Sequence, residues 1–352
     1  MSKSFVYTNH PAKVVFGKGG LASLPSEIEA AGCRRALVLS TPFQRKQAER
    51  VAELLGPVSV GTFSDATMHT PTGVTERAMQ AFAERGADCV VAFGGGSTIG
   101  LGKAIAYRND TFQFVVATTY AGSEVTPILG QTENGLKTTL RSPRVLPEVV
   151  IYDSELTLDL PVKMSVNSGL NAMAHAVEGL YARDQNPITS MFALEGLRAL
   201  KQSLPKIVAS PQDINTRDEA LYGSWLCGSV LGSVSMALHH KLCHTLGGSF
   251  DLPHAETHAV ILAHATAYNS VAAADRLRPA ADLFGGELAQ ELYDFAAFLG
   301  APLALKDLGM LESDLDRTVD LVCETPYWNP RAIERGAIRS LLQDAWEGKR
   351  PK

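Results

Sequence analysis

Cysteine is scarce in this sequence, basic charge is not in excess, and no apolar run goes uninterrupted. The five cysteines (Cys33, Cys89, Cys227, Cys243, Cys323) are odd in number and widely spaced, with no CxxC pair. They read as reduced, mostly buried thiols of a cytoplasmic protein rather than as a disulfide framework. Lys and Arg number 32 against 37 Asp and Glu, a formal charge of −5. Neutralising phosphates needs a basic face, so nucleic acid is not an expected partner. The opening Met1-Ser2-Lys3-Ser4-Phe5 lacks the apolar stretch of a secretion signal. The membrane-length candidate, Leu221 to Leu238, is uncharged but carries Gly223, Gly228, Gly232 and four serines. That composition suits a closely packed interior helix, and no membrane partner is expected. With 30 Gly and 18 Pro there is no collagen-like or low-complexity character, and 45% hydrophobic residues rule out disorder.

What is present first is an alternation. Arg35–Ser40, Cys89–Phe93, Phe114–Thr118 and Val149–Tyr152 are short runs apolar on both faces, as in parallel strands covered by helices. Phe43–Leu55, Thr72–Arg85 and Ser97–Arg108 carry apolar residues at helical spacing between them. Phe5–Tyr7 and Lys13–Phe16, around Asn9-His10-Pro11, predict an N-terminal hairpin. After Asp159-Leu160-Pro161 only helical patterns occur: 162–182, 187–203, 216–238, 255–272, 287–299, 311–323 and 330–346. A chain of 352 residues exceeds one usual core. The expectation is a Rossmann-like α/β domain over 1–158 and an all-α domain over 159–352, with the active site in a cleft between them.

Two features carry chemistry. Val90-Val91-Ala92-Phe93 runs into Gly94-Gly95-Gly96-Ser97 and then a helix, a geometry that cradles a pyrophosphate on backbone amides. A plain strand-to-helix turn would also account for the glycines. A second loop, Thr118-Thr119 through Glu124, leaves the next strand where ligands collect in open α/β sheets. The expected cofactor set is Thr41, Gly94, Gly95, Gly96, Ser97, Thr118, Thr119 and Lys137. No acid stands in Ser40-Thr41-Pro42 to repel a 2′-phosphate, so NADPH is expected to serve alongside NADH.

The second feature is a histidine cluster. Six of nine histidines (His239, His240, His244, His254, His258, His264) fall between positions 239 and 264. Asn171 and His175, His240 and His244, and His254 and His258 are each spaced i, i+4, so each pair shares a helix face. A metal site needs three or four such donors. His10, His69 and His264 read instead as surface or capping residues.

The two loops, Asn171-x3-His175 and His240-x3-His244-x9-His254 resemble the iron-dependent (group III) alcohol dehydrogenase superfamily, over nearly the whole chain. That resemblance implies the two-domain, dehydroquinate synthase-like fold. It also implies a metal held by an Asp and three His, at the positions of Asn171, His175, His240 and His254. Two residues depart from the pattern: Asn171 replaces the metal-binding Asp, and Gly100 replaces a second Asp after the glycine loop. With 239–248 (HHKLCHTLGG), 251–258 (DLPHAETH) and Asn329-Pro330-Arg331, these departures resemble a subfamily that reduces the carbon–carbon double bond of maleylacetate. Its product is 3-oxoadipate, in bacterial breakdown of resorcinol, hydroxyquinol and chloroaromatics. The resemblance implies NADH (or NADPH), no required metal and a homodimer.

Hydride added β to the ketone of such a substrate leaves an enolate oxygen, which protonated imidazoles or Lys241 can stabilise. The expected polariser and proton donor are His244 and His254, with His175 and His240 holding the site. Arg331 and Lys241 are expected to bind the two carboxylates, and Asn171 and His258 to line the substrate. The rivals are a metal-dependent alcohol or polyol dehydrogenase, a dehydroquinate synthase-like lyase and a non-catalytic nucleotide-binding protein.

Overall fold

The computed structural model describes residues 5–8, 10, 12–133 and 136–352, the side chains of Leu136 and Lys137 excepted. The chain forms two units. One runs from Asn9 through Leu160 and takes back Gln212–Leu221; the other holds Pro161–Pro211 and Tyr222–Lys352, together with Phe5–Thr8. The expected single boundary near 159 therefore misses a returning segment. Its cause is Arg217, fully buried, whose Nη1 donates to Tyr120 Oη at 2.9 Å and Nη2 to the Leu160 carbonyl at 3.2 Å.

The first unit is built on β1 (Lys13–Phe16), α1 (Leu24–Ala30), β2 (Ala36–Leu39), α2 (Arg45–Leu55), β3 (Ser59–Phe63), α3 (Thr72–Glu84), β4 (Cys89–Gly94), α4 (Gly96–Asn109), β5 (Phe112–Ala117), β6 (Ile128–Glu133), β7 (Leu136–Arg141) and β8 (Val149–Tyr152). Six strands form one parallel sheet in the order β1-β8-β5-β4-β2-β3, and β6 and β7 pair antiparallel apart from it. Alternate strand residues enter two cores on opposite faces: Val38, Val91 and Phe93 in one, Leu37, Leu39 and Val90 in the other. A strand covered on both faces must be apolar at every position, which is why these runs were recognisable. Successive strands step one way from β2 to β3 and the other way from β4 to β5. The turns after β2 and β4 therefore flank the switch point, where open α/β sheets bind ligands.

The expected N-terminal hairpin is not found. Lys13–Phe16 is a strand but pairs parallel with β8, and Phe5–Thr8 is not strand; Asn9 and Pro11 lie outside the described residues. β3, with Gly61 at its centre, and the β6–β7 hairpin were not anticipated.

The second unit is helical: α5 (Val162–Tyr181), α6 (Pro187–Ala209), the later part of α7 (Ile214–Ser233), α8 (Leu238–Phe250), α9 (His254–Phe284), α10 (Leu288–Phe298), α11 (Leu315–Glu324) and α12 (Arg335–Glu347). The expected helix 216–238 stops at Ser233, and α8 leaves at 96° to α7. Distant side chains make this break. Asp184 accepts from Ser235 N at 2.8 Å and Ser235 Oγ at 2.9 Å, and Asn329 Oδ1 accepts from Leu238 N at 3.3 Å. Glu178 Oε1 accepts from His239 N at 2.8 Å. The first amides of α8, which have no partner within the helix, are thus supplied with acceptors from elsewhere. Among the described residues no single helix is long and apolar enough to cross a membrane. The helix expected from 330 begins only at Arg335, so Arg331 lies in the preceding loop.

Candidate active site

In the first unit the cofactor residues converge around a side chain that sequence reasoning overlooked. β4 ends at Gly94 (φ 148°), Gly95 caps α4 and Gly96 opens it. A Cβ on Gly94 would lie 2.7 Å from Thr98 Oγ1 and 2.9 Å from Gln44 Oε1; on Gly95 it would lie 2.7 Å from Thr119 Cγ2. Gln44 Nε2 donates to Thr118 Oγ1 at 3.0 Å, and Thr41 Oγ1 to Gln44 Oε1 at 3.4 Å. Gln44 thus joins the turns after β2, β4 and β5. Gly96 is exposed and Ser97 half-buried at the start of a 14-residue helix, whose positive end suits a pyrophosphate. Thr98 Oγ1 is buried without a hydrogen-bond partner. The expected contact from Lys137 falls on a side chain outside the described residues. Gly100, the second departure, packs on Thr70, whose Oγ1 would collide with a Cβ there.

Behind this loop Lys103 is buried, with Nζ donating to Ser123 O (2.6 Å), Thr126 O (2.8 Å), Thr126 Oγ1 (2.9 Å) and Ile128 O (2.9 Å). Nearby, Glu124 is equally buried and accepts from Tyr152 Oη at 2.8 Å.

In the second unit α5, α8 and α9 bring the histidines together. His175 Nδ1 lies 2.9 Å from His240 Nε2, and His240 Nδ1 hydrogen-bonds Glu178 Oε2. His239 Nε2 lies 2.9 Å from His258 Nδ1, and Cys243 Sγ 3.6 Å from His239 Nε2. Ring centroids of His254 and His258 are 4.4 Å apart, and those of His240 and His244 6.0 Å. Four rings (His175, His239, His240, His258) are buried, while His244 and His254 are half-buried at the rim. Burial first, and then the neighbouring rings, hold His239 and His258 well below the usual histidine range, so both stay neutral. The Asn171 amide is also buried, and its Oδ1 has no hydrogen-bond partner.

Lys241 Nζ stands 5.8 Å from the centroid of Tyr327. Arg331 stacks its guanidinium 4.1 Å over Tyr268 and donates from Nη1 to the Tyr268 carbonyl at 3.3 Å. Its loop is pinned by Asn329, which exchanges amide hydrogen bonds with Asn269 (3.1 and 2.7 Å) and donates to Arg331 O at 2.7 Å.

Sequence reasoning gave no part in this site to Glu178, Asn269 or Cys243, and named His239 only as a member of the histidine cluster. Glu178 had a signal, since it shares a helix face with Asn171 and His175 at spacings of seven and three. It also placed His264 wrongly. That ring is buried in α9, edge-on to Tyr293 at 6.4 Å, and burial pulls its pKa down to about 4. A histidine depressed in the folded state costs stability as pH falls from its unfolded value near 6.5 toward 4. We expect His264→Leu to remove about 2–3 kcal/mol of the acid destabilisation between pH 7 and pH 4.5, measured by urea unfolding at both pH values.

The implied metal positions form a poor donor set for a dication. Asn171 contributes a neutral amide, and His175 and His240 turn ring nitrogens on each other. Among the described residues, three-donor groups closing within 4.8 Å are His239–Cys243–His258 and Cys33–Asp88–Cys89, not the implied set. Hydrogen bonding accounts for the closeness of the first group.

The sequence family "Iron-containing alcohol dehydrogenase" matches residues 11–154, and "Fe-containing alcohol dehydrogenase family, C-terminal" matches residues 165–346. A maleylacetate reductase of Rhizobium sp. (strain MTP-10005) is 62% identical over 348 residues, 99% of either chain. One from Burkholderia cepacia is 53% identical over 349 residues, again 99% of each. The crystal structure of maleylacetate reductase from Agrobacterium tumefaciens superposes with a TM-score of 0.96 at 60% identity, covering 99% of this chain and 100% of that one. With both family segments matched in order over one oxidoreductase fold, the chain belongs to the iron-containing alcohol dehydrogenase family and groups within it with the maleylacetate reductases.

Proposed function

We propose that this chain reduces the carbon–carbon double bond of maleylacetate to give 3-oxoadipate, with NADH as donor and NADPH also accepted, and with no required metal. The observation that carries the reading is the neutral Asn171 beside imidazoles bonded to one another, where a dication would need converging, unprotonated donors. When bound, NADH supplies a hydride to the carbon β to the substrate's ketone.

The chain's own residues do the rest. The helix start at Gly96 and the side-chain-free turn of Gly94 and Gly95 hold the pyrophosphate. His254 and His244, the rim imidazoles, stabilise the enolate oxygen that forms and return a proton to the adjacent carbon. The buried rings beneath them keep that constellation fixed. Arg331, pre-oriented on Tyr268, and Lys241 take the two carboxylates, with Asn171 and His258 lining the space between.

The test is NADH oxidation followed by absorbance. Turnover with maleylacetate that is indifferent to EDTA is expected, with little turnover of simple aldehydes and ketones. EDTA-sensitive turnover of alcohols or aldehydes, with stoichiometric iron or zinc, would establish the metal-dependent dehydrogenase instead.

A further inference from the structure

One charged group in the second unit has no place in the reaction as described. Glu178 is fully buried in the last turn of α5, one turn beyond His175. A lone carboxylate there is expensive unless its oxygens are fully engaged. Both are: Oε1 accepts from the His239 amide at 2.8 Å, and Oε2 accepts from the His240 amide at 3.4 Å and from His240 Nδ1. The same side chain therefore caps α8 and grips a ring on its first turn.

We propose that Glu178 is the positioning residue of the site, setting the tautomers of His240 and, through it, of His175. A carboxylate can only accept, so His240 Nδ1 carries its hydrogen. In the neutral ring His240 Nε2 is then an acceptor, and the 2.9 Å contact to His175 Nδ1 requires the hydrogen to sit on His175. His175 Nε2 is left with the lone pair. One buried carboxylate thus dictates the hydrogen placement on two rings, as outer carboxylates do for ligating or catalytic histidines elsewhere. Glu178 touches neither substrate nor cofactor in this scheme; it acts through His240.

Glutamine at 178 is nearly isosteric yet cannot substitute. It replaces one accepting oxygen by NH2, which must then face either the His239 amide or the His240 Nδ1–H. Aspartate keeps the charge on a shorter arm. This inference rests on the proposed reduction for its kinetic arm only. With maleylacetate and NADH, Glu178→Gln is expected to lower kcat by roughly 10- to 100-fold, with KM and the NADH Kd within about threefold of wild type and partial recovery in Glu178→Asp.

The second arm needs no substrate. In 15N-histidine NMR of the wild-type protein, His240 and His175 should both be Nδ1–H tautomers, and Glu178→Gln should move His240 to Nε2–H. A wild-type His240 protonated on Nε2 overturns the proposal, whether or not the glutamine variant folds. So does a folded Glu178→Gln variant with wild-type kcat. Wild-type protein that shows the predicted tautomers but does not turn over maleylacetate leaves Glu178 in place and removes the proposed reaction instead.

Discussion

Replacing Lys103 by methionine should cost about 3–5 kcal/mol of stability, the range seen when one partner of a buried charged network is removed. Methionine fills nearly the same volume, so the loss is polar rather than a cavity. Lys103 Nζ serves three carbonyls and the Thr126 hydroxyl within 2.9 Å. Without it these acceptors lose their charged donor, each at a penalty of about 1–3 kcal/mol unless the chain opens to water, while Ser123 O keeps a bond from Thr126 Oγ1 at 3.0 Å. The segment they belong to continues directly from the Thr118–Thr119 turn. NADH affinity should therefore fall with stability, by roughly tenfold for 1.4 kcal/mol of lost order. Urea unfolding and a fluorescence titration with NADH measure the two effects. A loss below about 1 kcal/mol would mean that water replaces the ammonium and that the network has no structural role.

His254→Ala and His244→Ala should each lower kcat/KM for maleylacetate by roughly 10²-fold or more, the usual size of a general acid or oxyanion contribution. The buried rings do not share this expectation in the same form. His239 and His258 are held neutral by burial and bonded to each other, so alanine there removes packing and a hydrogen bond. Among the described histidines, only His244 and His254 combine partial exposure with contact to the nest, at 6.0 Å to His240 and 4.4 Å to His258 between centroids. Steady-state kinetics at saturating NADH separate the cases. A variant with near-normal turnover and intact NADH binding excludes that residue from the chemistry.

How much of this was legible in the sequence depended on whether the cause was local. Val149–Tyr152 emerged with its exact limits because every residue of a doubly covered strand is apolar. β3 did not, since Ser59, Gly61 and Thr62 interrupt a strand that lies half-buried at the sheet edge. The strands β6 and β7 carry polar residues such as Gln131 and Thr132, and on β6 only Leu129 is buried, too little for an alternating pattern. The break before α8 was invisible for another reason. Locally the apolar pattern runs on to Leu238, and the groups that end α7 and start α8 come from Asp184, Glu178 and Asn329, up to 91 residues away. The histidines and the glycine turn were found because their chemistry is written in residue type and spacing. Glu178 and Gln44 were not, because an acid or amide on an amphipathic helix reads as solvated until its neighbours are known.

The returning segment around Arg217 has a consequence for synthesis. The sheet unit closes only when Arg217 reaches Tyr120 and Leu160, and Leu160 precedes it by 57 residues. At translation rates of about 5–20 residues per second, the sheet waits roughly 3–11 s on the ribosome before its last buried cation arrives. Through that interval the Tyr120 hydroxyl lacks the bond from Arg217. A gene fragment cut at residue 160 would stay in that waiting state for good.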